Sequence, residues 1–227
     1  MKKIVIVVAM DSEYELVSHV LENPTEYLLN GFKCKRGIVA NNEIVLARCG
    51  IGKVNAAVQV SSLIAEEKPS YIINSGVAGG VGDGMQPGDV VVGSSTCYHD
   101  MWCGEGEWGQ VQGLPLYFSA SNELLDVVNS LDVNRLYVGL ICTGDQFISD
   151  LPTLQSIKAK FPNVLAVDME SAAMAQVCHM RNTPFMSLRV VSDTPGMVHN
   201  NTAQYFDFFT DAPQRTFEVL KSLITRV

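Results

Sequence analysis

The chain has 227 residues, 47% hydrophobic and 18% charged, with 16 Lys and Arg against 24 Asp and Glu and a net charge of −8. That composition excludes a disordered chain, and the acidity argues against nucleic-acid binding as its main task. Mean hydropathy is only +0.15 and no apolar run approaches the ~18 residues of a membrane span, so no membrane role is expected. The length reads as one domain, 1–227, long enough for a sizeable core. Lys2–Ala9 is a β-branched run and predicts a strand buried on both faces. Asp11 and Glu13 end the run and no small-residue cleavage site follows, so a strand is expected rather than a signal peptide. Asp11–Leu21 reads as a helix, with Ser12 and Glu15 at capping-box spacing.

Tyr27–Leu29, Phe32–Val39 and Glu43–Cys49 read as an antiparallel meander, with Asn30-Gly31 and Asn41-Asn42 as its turns. Lys53–Glu66 is a helix. Tyr71–Ser75 is a strand that enters a glycine-rich loop, and Asp89–Gly93 is another strand. Leu136–Cys142 reads as a buried strand, Leu151–Lys160 as a helix, and Val164–Val167 as a short strand running into a helix over Glu170–Met180. Phe185–Val191 is a strand and Thr202–Thr225 is mostly helical. The alternation predicts an α/β protein with a mixed, mainly parallel sheet.

In such sheets ligands sit beyond the carboxyl ends of strands. Glu13, Gly76–Gly80, Asp145, Glu170 and Asp193 all fall near such ends. Gly50-Ile51-Gly52-Lys53 is not a phosphate loop, because residue 47 is Ala and Val54 replaces the required Ser or Thr. Gly79–Gly84 lacks dinucleotide spacing and leads into a turn and a strand, with no helix to receive a pyrophosphate. Cys97, His99, Asp100 and Cys103 match no structural zinc spacing, and no Ser/His/Asp arrangement is recognisable. No CxxC pair exists, and most of the six cysteines lie in apolar stretches, so reduced thiols and a cytoplasmic location are expected. What remains is a set of acids at strand ends. Each alone is explained by helix capping. Together they suggest acid/base chemistry on a small substrate.

Eight segments carry a resemblance: Ala9–Glu13, Cys49–Ala57, Asn74–Gly80, Gly88–Val92, Tyr98–Asp100, Gly144–Ile148, Ala166–Glu170 and Arg189–Asp193. In that order the chain resembles the nucleoside phosphorylase/nucleosidase superfamily, and most closely its methylthioadenosine/S-adenosylhomocysteine nucleosidase branch. The resemblance implies a mixed twisted, partly barrel-like sheet surrounded by helices, and a homodimer. It implies hydrolysis of the N-glycosidic bond of 5′-methylthioadenosine, S-adenosylhomocysteine and 5′-deoxyadenosine, releasing adenine. It implies no metal or organic cofactor.

By position, Asp193 would donate a proton toward purine N7, with Ser192 orienting it. Glu13 would deprotonate the attacking water. Glu170 would bind ribose hydroxyls and favour a cationic transition state, and Arg189 would help place Glu170 and the water. Phe147 would lie against the purine, Ile148 would offer it backbone hydrogen bonds, and Met169 would lie under the ribose. Met10, Ile51 and an aromatic from Tyr205–Phe208 would line the 5′-alkylthio pocket.

Two positions depart from that pattern. Val77 stands where Ser is frequent, so its side chain offers neither a water nor a phosphate a hydrogen bond. Met101–Leu116, with Trp102 and Trp108, is either an altered 5′ pocket or subunit contact, or a surface loop with two anchoring aromatics. The alternatives are a hydrolase of another 5′-modified nucleoside of the aminofutalosine type, a purine or uridine phosphorylase with Arg48 as its phosphate ligand, and a non-enzymatic nucleoside-binding or storage protein.

Overall fold

The computed structural model describes residues 1–196, 203–205, 208 and 214–227. Ten strands form one sheet: β1 (Lys3–Val8), β2 (Glu22–Leu29), β3 (Phe32–Val39), β4 (Asn42–Arg48), β5 (Tyr71–Gly80), β6 (Val90–Tyr98), β7 (Phe118–Ser119), β8 (Leu136–Thr143), β9 (Val164–Asp168) and β10 (Phe185–Asp193). The helices among the described residues are α1 (Asp11–Ser18), α2 (Lys53–Glu67), α3 (Asn122–Asn129), α4 (Leu151–Lys160), α5 (Ser171–Met180) and α6 (Gln214–Arg226). Residues 203–205 are also helical. The strand order is β10-β6-β8-β9-β5-β1-β4-β3-β2, and β10 also pairs with β5. That extra ladder closes β5, β9, β8, β6 and β10 into a five-stranded barrel, with β1 to β4 extending from it.

Period-two alternation in β1 assigns its two faces to two cores. Ile4, Ile6 and Val8 face one cluster with α1, α3 and α6, through Tyr14, Val17, Leu124, Val128, Leu220 and Leu223. Val5, Val7 and Ala9 face the other, with α2 and α5, through Ala56, Val60, Leu63, Met174 and Cys178. Each fully buried aliphatic side chain contributes ~1.5–3 kcal/mol, which is why this strand reads as an unbroken apolar run.

The α/β class and the meander agree with the sequence, and Asn30 (φ 50°) and Gly31 (φ 87°) make the first tight turn. Five points differ. Five of the ten ladders are antiparallel, so the sheet is mixed rather than mainly parallel. The second meander turn is Ala40-Asn41, since Val39 already pairs with Asn42. Leu136–Gly139 of β8 is partly exposed, and only its second half is buried. The cap of α1 is built at Met10 and Glu13, not at Ser12 and Glu15. Lastly, Gly76–Gly80 belongs to β5 and is not a loop. A Cβ on Gly76 would lie 2.6 Å from both Arg189 Nη1 and Glu13 Oε1, and one on Gly80 would lie 2.6 Å from Val191 Cγ1. Those glycines let side chains of neighbouring elements cross the strand.

Pairing register then positions the site. β1 and β10 flank β5 in parallel. β9 meets only the end of β5, antiparallel, with Gly79 opposite Val167. Beyond Val167 the chain therefore runs back along β5 toward Val77 and Gly76, where Glu13 and Arg189 lie.

Candidate active site

A cavity of about 300 Å³ lies over these strand ends. Eleven of the residues singled out from the sequence line it: Glu13, Glu170 and Asp193, with Met10, Ile51, Val77, Phe147, Ile148, Met169, Arg189 and Ser192; Asp145 does not. Tyr205, from the aromatic stretch considered above, lines it as well; of that stretch, residues 206 and 207 lie outside the described residues. Arg48 is not among the lining residues. Its Nη1 donates to Asp11 Oδ2 at 3.2 Å.

Glu13 is buried in the first turn of α1. Its Oε2 accepts the backbone N–H groups of Ala9 and Met10, and its Oε1 accepts that of Val77, each at 3.0 Å. Three amides from two elements thus fix one carboxylate. Burial raises its pKa, opposed by Arg189 and these amides. Val77 thereby serves the site through its backbone, while its side chain packs against the core.

Glu170 stands at the N-terminus of α5, and its Oε1 accepts from Gly52 N–H at 3.0 Å. Burial pushes its pKa up to about 7, with Arg189 acting against that shift and Asp168 adding to it. Arg189 is among the most completely buried side chains. It donates to Asn74 Oδ1 and Asp168, to Ser171 Oγ at 3.1 Å and to Glu170 Oε2 at 3.5 Å. Burial works against its charge, but Asp168, Glu170 and Glu13 outweigh that and hold its pKa above the usual value.

Asp168 holds this arrangement together. It accepts from Thr143 Oγ1, from both the N–H and the hydroxyl of Ser171, and from Arg189. The resemblance includes Asp168 and Asn74 within its matching segments Ala166–Glu170 and Asn74–Gly80 but gives neither a role, and Thr143 and Ser171 lie just outside those segments. One signal was available: Asn74 directly follows the apolar start of a buried strand, Tyr71–Ile73, and buried polar groups of that kind carry partners.

Asp193 ends β10 beyond a bulge that follows Val191 and is buried. Ser192 Oγ donates to its Oδ1 at 2.7 Å. The bulge allows both consecutive residues to line the cavity, which strict strand alternation would forbid. On the apolar side, Phe147 is 42% exposed and meets the Tyr205 ring edge-on at 5.6 Å between centroids. The Tyr205 hydroxyl donates to Met10 Sδ at 2.9 Å. Burial first, then Glu13, Asp193 and Glu170, push that hydroxyl's pKa up to about 12, so it remains a donor at neutral pH.

The lining residues therefore include four carboxylates (Glu13, Asp168, Glu170 and Asp193) against one guanidinium, with an aromatic and thioether wall opposite. Such a site suits a neutral ligand that develops positive charge. A phosphate dianion would meet these acids with one cation already committed to Asp168.

The family profile described as the phosphorylase superfamily matches residues 3–225. The 5′-methylthioadenosine/S-adenosylhomocysteine nucleosidase of Bacillus subtilis is 33% identical over 231 residues, covering 99% of each chain. The nucleosidase of Neisseria meningitidis, solved with methylthio-immucillin-A, superposes with a TM-score of 0.94 at 34% identity over all of both chains. The S-adenosylhomocysteine nucleosidase of Streptococcus pyogenes, solved with 5-methylthiotubericidin, gives a TM-score of 0.93 at 33% identity, covering 100% of this chain and 97% of the other. On sequence, fold and coverage together, the chain belongs to the phosphorylase superfamily, within its 5′-methylthioadenosine/S-adenosylhomocysteine nucleosidase family.

Proposed function

We propose that the chain hydrolyses the N-glycosidic bond of 5′-methylthioadenosine and S-adenosylhomocysteine, and of 5′-deoxyadenosine, releasing adenine and the 5-substituted ribose. The observation that carries this reading is the convergence of Glu13, Glu170 and Asp193 on one cavity with an apolar, sulfur-bearing wall. The family relationship supports the same substrate class.

In this mechanism Asp193, held by Ser192, gives a proton to purine N7 as the C1′–N9 bond breaks, so that adenine leaves neutral. Positive charge then builds on the ribose ring. Glu170 accepts the ribose hydroxyls and, with Glu13, stabilises that charge in a site where few waters screen it. A water attacks C1′ and passes its proton to Glu13, whose lone pairs are aimed by the three amides. Arg189 keeps the two glutamates from repelling each other out of the site. Met169 lies under the ribose, Phe147 against the base with Ile148 beside it, and Met10, Ile51 and Tyr205 around the 5′-alkylthio group.

Hydrolysis is favoured over phosphorolysis because the acids outnumber the cations around the reacting centre. The test is chromatography of products from 5′-methylthioadenosine with and without phosphate. Adenine and free methylthioribose in both conditions are expected. Cleavage that requires phosphate would overturn the hydrolytic reading, and cleavage only of a nucleoside with a larger polar 5′ arm would overturn the substrate.

The chain acts as a single domain and as a homodimer. Ile51, Val54 and Val58 form an exposed apolar stripe at the start of α2, beside the mouth of the cavity. A cytoplasmic location fits six free cysteines, five of them buried. No described helix is long and apolar enough to cross a membrane.

A further inference from the structure

Within the Gly50-Ile51-Gly52-Lys53 motif, Ile51 lines the cavity and Gly52 holds Glu170. Lys53 has no part in the chemistry above, yet it sits at the centre of a charge cluster. Lys53 Nζ donates to Asp100 Oδ2 at 2.7 Å and lies 3.8 Å from Asp145 Oδ2. Asp100 Oδ2 also accepts the Asp145 backbone N–H at 2.9 Å. Asp145 Oδ1 in turn accepts the Lys53 backbone N–H at 2.8 Å, capping the N-terminus of α2 from a distant loop. Three segments are thus tied: the β4–α2 connection, the end of β6 and the loop after β8 that carries Phe147 and Ile148.

The tie is tight on both sides. Gly52 has φ +97°, and a Cβ there would sit 3.1 Å from Asp145 Oδ1. On the other flank of the loop, a Cβ on Gly144 would fall 2.3 Å from the His99 ring. One residue before Lys53, the Gly52 N–H holds Glu170. Two consecutive amides at one helix end therefore grip a carboxylate of the ribose side and a carboxylate of the base loop.

We infer that Lys53, acting with Asp100, is a positioning residue that latches the base-binding loop Gly144–Ile148 onto the N-terminus of α2. The inference rests on the nucleosidase reading only for the identity of the ligand. The loop grips the base equally before and during bond breaking, so losing the latch removes uniform binding. That raises KM and leaves kcat nearly unchanged. The three side chains are a quarter to a half exposed, so salt screens the latch in part.

The test uses the full chain and 5′-methylthioadenosine, with the variants Lys53→Met, Lys53→Arg and Asp100→Asn. Lys53→Met is expected to raise KM about two- to fivefold, the range of a partly exposed ion pair, with kcat within about twofold of wild type. Asp100→Asn moves KM the same way, and Lys53→Arg restores most of the loss. Wild-type KM climbs with added salt, and the Lys53→Met value does not. Hydrogen exchange at the Asp145 amide and its loop neighbours quickens in Lys53→Met without substrate. Unchanged exchange overturns the inference, whatever KM does. So does a fall in kcat at constant KM. If the wild-type chain releases no adenine, the nucleosidase reading fails, and the exchange experiment alone decides whether the latch exists.

Discussion

At the scale of single residues, the site works by burying its acids around one cavity. Glu170 shows the cost. Its carboxyl titrates near 7 in the folded chain, raised by burial against Arg189, while an unfolded glutamate titrates near 4.3. A raised folded pKa contributes stability that is complete below the unfolded value and is lost as pH rises through about 7. Glu170→Gln is therefore expected to melt above wild type at pH 8, by an amount of the order of a few kcal/mol, and to lose that advantage near pH 4. Calorimetry at both pH values checks it. Turnover moves the other way, since only the ionised carboxylate favours a cationic sugar. kcat/KM of wild type should fall as pH drops below about 7 and Glu170 takes up a proton. A flat profile down to pH 5 would remove Glu170 from the role given it.

Asp193 and Gly76 give two further residue-scale outcomes. Asp193→Asn keeps the shape and the Ser192 contact but cannot give up a proton to N7. Turnover should drop by about 10²–10⁴, measured as adenine release, while binding of adenine survives. Near-normal turnover would sink the role of Asp193. Gly76→Ala puts a methyl 2.6 Å from Glu13 Oε1 and Arg189 Nη1. Both groups are buried and tied, so neither can withdraw cheaply. Activity is expected to collapse, and the melting temperature to fall clearly, because relieving such an overlap costs about 1–3 kcal/mol.

Elements explain which parts of this could be read from sequence. β1 was legible because both its faces are buried and every position after Lys3 is apolar. The acids at strand ends were legible because a charged residue directly after an apolar run has few bland explanations. β5 was misread at its end. Glycine in sequence marks backbone freedom, whereas here it marks space for Glu13, Arg189 and Val191, which come from other elements. Asp168 and Asn74 were missed for a related reason. Their importance lies in the Arg189 they share, and β5 and β10 must pair before those groups meet. β7 and α3 were missed because β7 is two residues long and α3 has only two buried residues, Leu124 and Val128. α3 and α6 nonetheless cover one face of the sheet together. Leu223→Ala in α6 should cost about 2–5 kcal/mol, read from urea unfolding, and leave the pH profile of turnover unchanged because the site lies elsewhere.

Across the whole molecule, the barrel and the meander divide the work. Closure through the β10–β5 ladder brings the ends of β5, β9 and β10 to one cavity, and β1 and β4 add α1 and the start of α2 to its rim. The rim also carries the most exposed apolar side chains near the site: Val54 at 73%, Ile51 at 51% and Val58 at 49%. Leaving three such residues together at the start of one helix is unfavourable for an isolated chain, and a second copy would cover them. Because Ile51 lines the cavity as well, association and substrate binding would share a residue. Val54→Asp together with Val58→Asp is therefore expected to give monomers in light scattering and, in the same protein, to raise KM. Monomers with unchanged KM would separate the stripe from the site. A dimer that survives both substitutions would show that the copies meet on another face.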